Sequence, residues 1–510
     1  MHIRKNSHIN CQLDMSEKDS NTNNNYTRIL KSNALFGGLQ VYLILVQIIR
    51  SKIIAVLLGP AGLGVLGLFT SATKLISDVS SLGISQSAIR DVSEAFGSGN
   101  IQKVSRTIKI VRRLIWVTGL IGTAVVIFLS PMLSKTSFGN SDYTIPFIFL
   151  SVTLLLDQLC AGQKVLLQGT RKLKNLAKAS AIGSTLGLIV SVPLYYLFGV
   201  KGIVPTLILY SLISLMLTWY YSRQIKVERV EITYKETFKE GLSMLKFGIA
   251  LCFSGILLSA STYILRSYIS SIGGTVDVGL YVAGFAIVNS YVGMIFTAIS
   301  TDYYPRLSAV NKDNCKCRQM VNEQGEIAVL LMAPLLLFCI VFMPNFIKLL
   351  YSNDFSGAND YIMWAVSGML FKLASWIVGF MFVAKAESKV FLINEITVAL
   401  YGMLFSVIGY KLLGMTGLGI AFLLKFIVYS IQTYLIAYFR YNFSFTKSFL
   451  SLFGVQLFLL CLCLVFVVSL NSQLIMYIIG MVIILLSSFY SLRGLNQRVD
   501  IVTILKNKIK

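Results

Sequence analysis

Histidine is almost missing from this chain: the only two, His2 and His8, lie near its start. Without a histidine in the apolar body, no Ser-His-Asp arrangement can form there. A GxxxxGK[ST] phosphate loop is also lacking, which argues against ATP hydrolysis. The eight cysteines show no metal-binding spacing. Cys160, Cys252, Cys339, Cys461 and Cys463 fall in apolar stretches and read as small buried side chains. Cys315 and Cys317 have no second cysteine pair or histidine nearby. Charge is scarce as well, at 13% of 510 residues, about half the share of an ordinary soluble domain. These absences point to transport rather than catalysis, with no catalytic residue, metal or cofactor expected.

What the chain has in abundance is hydrocarbon. Hydrophobic residues make up 55% of it, and the mean hydropathy is +0.73. Apolar runs of roughly 20 residues, each long enough to cross about 30 Å of lipid, recur between Asn33 and Tyr490. The fold class expected is an all-α polytopic membrane protein of about fourteen transmembrane helices. Residues 1–30 are polar and rich in Asn, lack the apolar core of a signal peptide, and read as a disordered tail.

The net charge of +23 would suggest nucleic acid in a soluble protein. In a membrane protein it has a better explanation, because cytoplasmic loops concentrate Lys and Arg. With the N-terminus inside, about 33 basic residues fall in cytoplasmic segments and roughly four (Lys135, Lys201, Lys348, Lys411) in external loops. Both termini are therefore expected in the cytoplasm, and no nucleic-acid partner is expected.

Two cytoplasmic segments are long. Residues 85–111 read as a helix lying on the membrane surface, with bases toward anionic lipid. Residues 223–241 mix signs and read as a linker after the sixth span. The chain then divides into a tail (1–30), a first lobe of spans one to six (31–222), the linker (223–241), a second lobe of spans seven to twelve (242–440), and a final helix pair with a basic tail (441–510). A weak internal repeat supports two lobes. Arg50-Ser51 precedes Gly64-Val65-Leu66-Gly67, and Arg266-Ser267 precedes Gly279-Leu280-Tyr281 at a similar distance. An even number of spans per lobe makes the repeats parallel, with the substrate between two six-helix lobes.

A charge near the bilayer centre costs about 2.5–3.5 kcal/mol on insertion scales, so it is rarely turned toward lipid. The bases inside spans are Arg50, Lys52, Lys74, Lys164, Arg266, Lys372 and Lys425; the acids are Asp78, Asp157 and Glu395. Lys74 and Asp78 share a helical face, as do Asp157 and Lys164. Each is either a structural pair or a pair that substrate or proton can open. Arg50, Arg266 and Lys372 have no opposite charge within a helical turn of sequence. They either snorkel to an interface or line a central cationic cavity. Snorkelling is easier for Arg266 and Lys425 than for Arg50 and Lys372, which lie nearer mid-span. Arg forks match phosphate oxygens, so the cavity reading calls for an anionic substrate. Candidate substrate-binding residues are Arg50, Arg266, Lys372 and Lys74; Asp78, Asp157 and Glu395 are candidates for ion pairing or coupling.

The run Ala55-Val56-Leu57-Leu58-Gly59-Pro60-Ala61-Gly62-Leu63-Gly64-Val65-Leu66-Gly67-Leu68, followed by Leu82-Gly83-Ile84 and Ala88-Ile89-Arg90, resembles the Wzx-type O-antigen flippases. These belong to the multidrug/oligosaccharidyl-lipid/polysaccharide exporter superfamily. Tyr303-Tyr304-Pro305-Arg306-Leu307-Ser308 resembles the same family's motif after span eight. The resemblance spans about residues 30–440. It implies a flippase carrying undecaprenyl-pyrophosphate-linked O-antigen or related repeat units from the cytoplasmic to the periplasmic leaflet of the bacterial inner membrane. Membrane lipids, an O-antigen polymerase and a chain-length regulator are the implied partners. It also implies that the final two spans can form a groove for lipid tails. The rivals are a flippase for another polyprenyl-linked glycan such as the peptidoglycan precursor, a cation-coupled drug exporter, and a membrane-embedded glycan polymerase or ligase.

Overall fold

The computed structural model describes residues 3–498 except 226, 229 and 471; side chains are described from Gly38 onward, apart from scattered positions within 243–251 and 291–301. The tail expected to be disordered (1–30) falls where no side chain is described. The last twelve residues lie outside the described residues, and most of the basic tail with them.

The helices are α1 (Ile3–Ser81), α2 (Ile84–Gly97), α3 (Ile101–Phe138), α4 (Thr144–Gly169), α5 (Leu173–Phe198), α6 (Ile203–Ser222), α7 (Tyr234–Ala286), α8 (Met294–Ala309), α9 (Asn314–Leu350), α10 (Ala358–Ala384), α11 (Ser388–Tyr441), α12 (Lys447–Ser469) and α13 (Gln473–Asn496). No strand occurs among the described residues, as expected for an all-α fold. Ten helical stretches among them are long and apolar enough to cross a membrane. Large apolar side chains also face outward: α13 alone exposes Leu474, Ile478, Leu485, Leu486, Phe489 and Leu492. A soluble protein rarely tolerates such a face. Cys461, expected to be buried, is exposed on α12, because its helix turns that side outward.

Four of the ten stretches contain 44, 50, 39 and 54 residues, about twice what a bilayer needs. Each is interrupted near its middle by a glycine at positive φ: Gly59, Gly199, Gly274 and Gly414. The backbone dihedrals match in pairs. Gly59 has φ 63°, ψ −170° and Gly274 has φ 70°, ψ −170°. Gly199 has φ 56°, ψ −134° and Gly414 has φ 57°, ψ −133°. Each pair is separated by 215 positions. So are Arg171 (φ 57°) and Ala386 (φ 56°), two of the rare non-glycine residues in the left-handed region. The backbone therefore repeats with a constant offset, with no net insertion between these points.

Contacts repeat on the same offset. A Cβ on Gly202 would collide with the Leu194 carbonyl, and one on Gly417 with the Gly409 carbonyl. Residues eight apart on a straight helix lie about 12 Å from each other, so the chain doubles back at both Gly199 and Gly414.

The chain packs as two compact units that cut across its helices. The first contains Met1–Ser51, Ile76–Phe128 and Ile148–Cys252; the second contains Lys52–Leu75, Leu129–Phe147 and Phe253–Lys510.

In the first unit, Ile84, Ala88, Val92 and Ala95 of α2 are buried against Val104, Ile108 and Val111 of α3 and Val165 and Leu166 of α4. The segment 85–111 is therefore not the single helix expected, nor one whose apolar face is left for lipid. It is α2 plus the opening turns of α3, and the apolar face of α2 is buried in protein. The linker is bound along one side of α3. Lys109 donates to the Val230 carbonyl at 2.5 Å. Arg113 donates to the Ile232 carbonyl at 2.9 Å and the Thr237 hydroxyl at 2.7 Å. Arg106 meets Glu240 at 2.5 Å, and this carboxylate holds the Arg106 guanidinium above its ordinary value.

In the second unit, α9 begins at an Asp313 N-cap that accepts from the Cys315 and Lys316 amides. Lys52 donates to the carbonyls of Lys348 and Tyr351 at its other end. Both α12 and α13 are regular helices. Gly480 of α13 lies against Val341, and Gly494 against Leu330. Between α12 and α13, Gln456 joins Ser487 and Ser491 at 2.6 and 2.9 Å. Arg498 pairs with Glu326 of α9 at 2.6 Å.

Candidate functional site

The constant offset shows which side chains occupy corresponding places. Arg50 and Arg266 do not: Arg266 corresponds to Ser51, one position out of register. On an α-helix that step turns a side chain by about 100°, and the two arginines have different surroundings. In the first unit, the Arg50 guanidinium lies 5.0 Å from the centre of the Tyr210 ring, and its Nε is buried without a hydrogen-bond partner among the described residues. Gly187 leaves the space that Tyr210 fills. In the second unit, Arg266 donates from Nη1 to the Gly67 carbonyl at 2.8 Å, while its Nε is buried and unpartnered among the described residues.

Beside Arg266, two helix starts meet at their backbones. A Cβ on Gly64 would strike the Thr275 carbonyl, and one on Gly279 would strike the Pro60 carbonyl. Pro60 corresponds to Thr275, and Gly64 to Gly279. The contact is thus reciprocal, as in an isologous interface, and only glycine permits so close an approach.

The remaining expected residues fall in both units. Lys74 belongs to the second unit and is exposed; Asp78 belongs to the first and is half-buried. Asp157 is exposed in the first unit. Glu395 accepts from the Tyr429 hydroxyl at 3.3 Å in a polar group on α11. There, Asn394 donates to Tyr429 at 3.0 Å and Gln432 reaches Asn394 and Thr397 at 2.6 and 2.7 Å.

Lys372 has the most distinctive setting. Its ammonium donates to Asn289 Oδ1 at 2.9 Å and lies 5.4, 5.9 and 5.4 Å from the ring centres of Phe296, Phe422 and Phe426. Asn289 sits in a π-helical turn, Ile287–Val292, a distortion often found at functional sites. Lys425 lies 5.4 Å from the same Phe426 ring. Among the described residues neither lysine has a carboxylate within ion-pair distance. By sequence Lys372 stands out, whereas Lys425 reads as a snorkelling side chain and Asn289 carries no signal of its own. The offset is the signal that groups them, since Lys372 corresponds to Asp157, Lys425 to Tyr210, and Asn289 to Lys74.

The chain as a whole is similar to several known proteins. A family profile described as polysaccharide biosynthesis protein matches residues 53–360. The lipid III flippase of Escherichia coli (strain K12) is 23% identical over 390 residues, covering 74% of this chain and 90% of that protein; the Shigella flexneri protein of the same name matches equally. Among solved structures, the lipid II flippase MurJ in an inward closed conformation aligns with a TM-score of 0.65 at 15% identity, covering 91% of this chain and 99% of that one. An inward-facing multidrug resistance MATE family transporter of the MOP superfamily aligns with a TM-score of 0.64 at 17% identity, covering 79% and 94%.

Proposed function

We infer that this chain, which belongs to the polysaccharide biosynthesis protein family, is a flippase that moves a lipid-linked glycan precursor across the membrane and performs no catalysis. The observation that carries the reading is the pair of ammonium groups set among aromatic rings, Lys372 and Lys425, without a carboxylate partner among the described residues. Such a site suits an anionic head group and repels a cationic drug. The lipid III flippases supply the class of cargo, a lipid-linked glycan precursor. The substrate proposed is an undecaprenyl-pyrophosphate-linked O-antigen or related repeat unit, carried from the cytoplasmic to the periplasmic leaflet of the bacterial inner membrane. Read as hairpins, the four glycine-broken stretches turn ten apolar segments into fourteen spans, with both termini in the cytoplasm. Two six-helix lobes would then alternate in access. Lys372, Arg50, Arg266 and Lys74 are the proposed pyrophosphate ligands, and Asp78, Asp157 and Glu395 the proposed pairing or coupling acids. A membrane polymerase and a chain-length regulator would act on the delivered unit.

Membrane potential supplies direction. One charge crossing fully gains about 2.3 kcal/mol per 100 mV, so a diphosphodiester of about two negative charges moving outward gains roughly 4–5 kcal/mol. Complementation tests the substrate. The gene should restore surface polysaccharide in bacteria lacking an O-antigen flippase, and should not rescue cells depleted of their peptidoglycan-precursor flippase. Rescue of the second strain alone would transfer the assignment to that precursor.

A further inference from the structure

We propose that Lys372 and Lys425 form a two-cation subsite that binds a diphosphate group and selects it over a monophosphate, with Asn289 as a positioning residue. The inference rests on the lipid-linked diphosphate reading above and assigns the residues that recognise the second phosphate.

Phe426 is shared: each ammonium lies 5.4 Å from its ring centre. The two groups are close enough for the charge of Lys425 to bear on Lys372. Like charges held together in a weakly polar interior repel, and a ring face attracts each cation without neutralising it. Glu395, whose charge also reaches Lys425, is held by Tyr429 and makes no ion pair with the lysine among the described residues. A diphosphate offers each ammonium a phosphate of its own; a monophosphate, which carries about −1.5 to −2 charges at neutral pH, has a single phosphate to place against one of them.

The donors are available. A lysine ammonium has three N–H groups, and Asn289 takes one of those on Lys372. Lys425 makes no hydrogen bond to another described residue. The site is also accommodated by the backbone. Gly402 clears room for the Lys425 stem, since a Cβ there would lie 2.8 Å from Lys425 Cδ. The π-helical turn at Ile287–Val292 presents the Asn289 amide oxygen to Lys372.

The first half of the chain cannot build the same subsite. On the constant offset its places hold Asp157, Tyr210 and Lys74 instead of Lys372, Lys425 and Asn289. An acid and a phenol replace the two ammonium groups, although Gly187 clears room for Tyr210 as Gly402 does for Lys425. Anion recognition by this pair of places therefore belongs to the second half alone.

Calorimetric titration of the full-length protein in nanodiscs, with farnesyl diphosphate and farnesyl monophosphate as probes, tests the proposal. Wild type should prefer the diphosphate. Lys425→Met and Lys372→Met should each weaken diphosphate binding by about tenfold to hundredfold, the value of one charge-assisted hydrogen bond. Monophosphate binding should change far less, so the preference collapses. Lys425→Arg should retain most of the preference, and Lys411→Met, at an exposed position, should leave both affinities unchanged. If both methionine variants keep wild-type diphosphate affinity, the subsite is overturned while the flippase reading stands. Equal losses for the two probes would overturn the selectivity. Failure of wild type to bind either probe would overturn the diphosphate reading and the subsite with it.

Discussion

The two halves of this chain share a backbone but not a chemistry. Their turns fall on one offset and nearly repeat φ and ψ at Gly59 and Gly274, and again at Gly199 and Gly414. Their glycine contacts repeat too. Yet where the first half has Asp157 and Tyr210, the second has Lys372 and Lys425. Turn geometry and close helix packing allow few residue types, so they hold a repeat in place. A side chain directed at a ligand has no such constraint and is free to diverge. The functional asymmetry proposed for the molecule lies in those side chains.

The largest effect is expected at Lys372. Lys372→Asp gives the second half the charge of the first, and should abolish complementation while the protein still accumulates in the membrane; normal complementation would refute the asymmetry. Next come the reciprocal glycines. Gly64→Val and Gly279→Val should each lower stability by about 1–3 kcal/mol through overpacking. Because both disturb one contact, the double variant should lose less than the sum of the two, as thermal unfolding in detergent would show. Gly199→Ala and Gly414→Ala should each cost about 1–3 kcal/mol of backbone strain. The two losses should match, since the dihedrals match; unequal losses would weaken the repeat. The smallest effect is expected at Arg171→Gly and Ala386→Gly. Relief of a left-handed conformation, worth about 1–2 kcal/mol, is partly offset by the entropy of glycine, so both variants should raise the unfolding temperature slightly.

The membrane class is legible in the sequence because apolar runs such as Leu457-Phe458-Leu459-Leu460 of α12 and Ile483-Ile484-Leu485-Leu486 of α13 carry their signal without reference to any other part of the chain. The turns are half legible. Gly59-Pro60 marks a break in any reading, whereas Gly274 and Gly414 sit among other glycines and are distinguished only by their φ.

The site is partly legible for a physical reason. A lone base such as Lys372 in an apolar run stands out by its cost, but the Asn289 and Phe426 that surround it are ordinary residues until the fold brings them together. The expectation of one helix over 85–111 with its apolar face toward lipid fails because an amphipathic helix looks the same whether that face meets lipid or, as in α2, the packed side chains of α3 and α4. The matching of Arg50 with Arg266 fails by one residue, which only the turn geometry at Gly59 and Gly274 reveals.

The most direct measurement of the central claim is flipping of a fluorescent polyprenyl-diphosphate oligosaccharide in proteoliposomes under an imposed membrane potential. A potential negative on the cytoplasmic side should accelerate outward flipping, and Lys372→Met should abolish it at every potential. Voltage-independent flipping that survives Lys372→Met would contradict the claim.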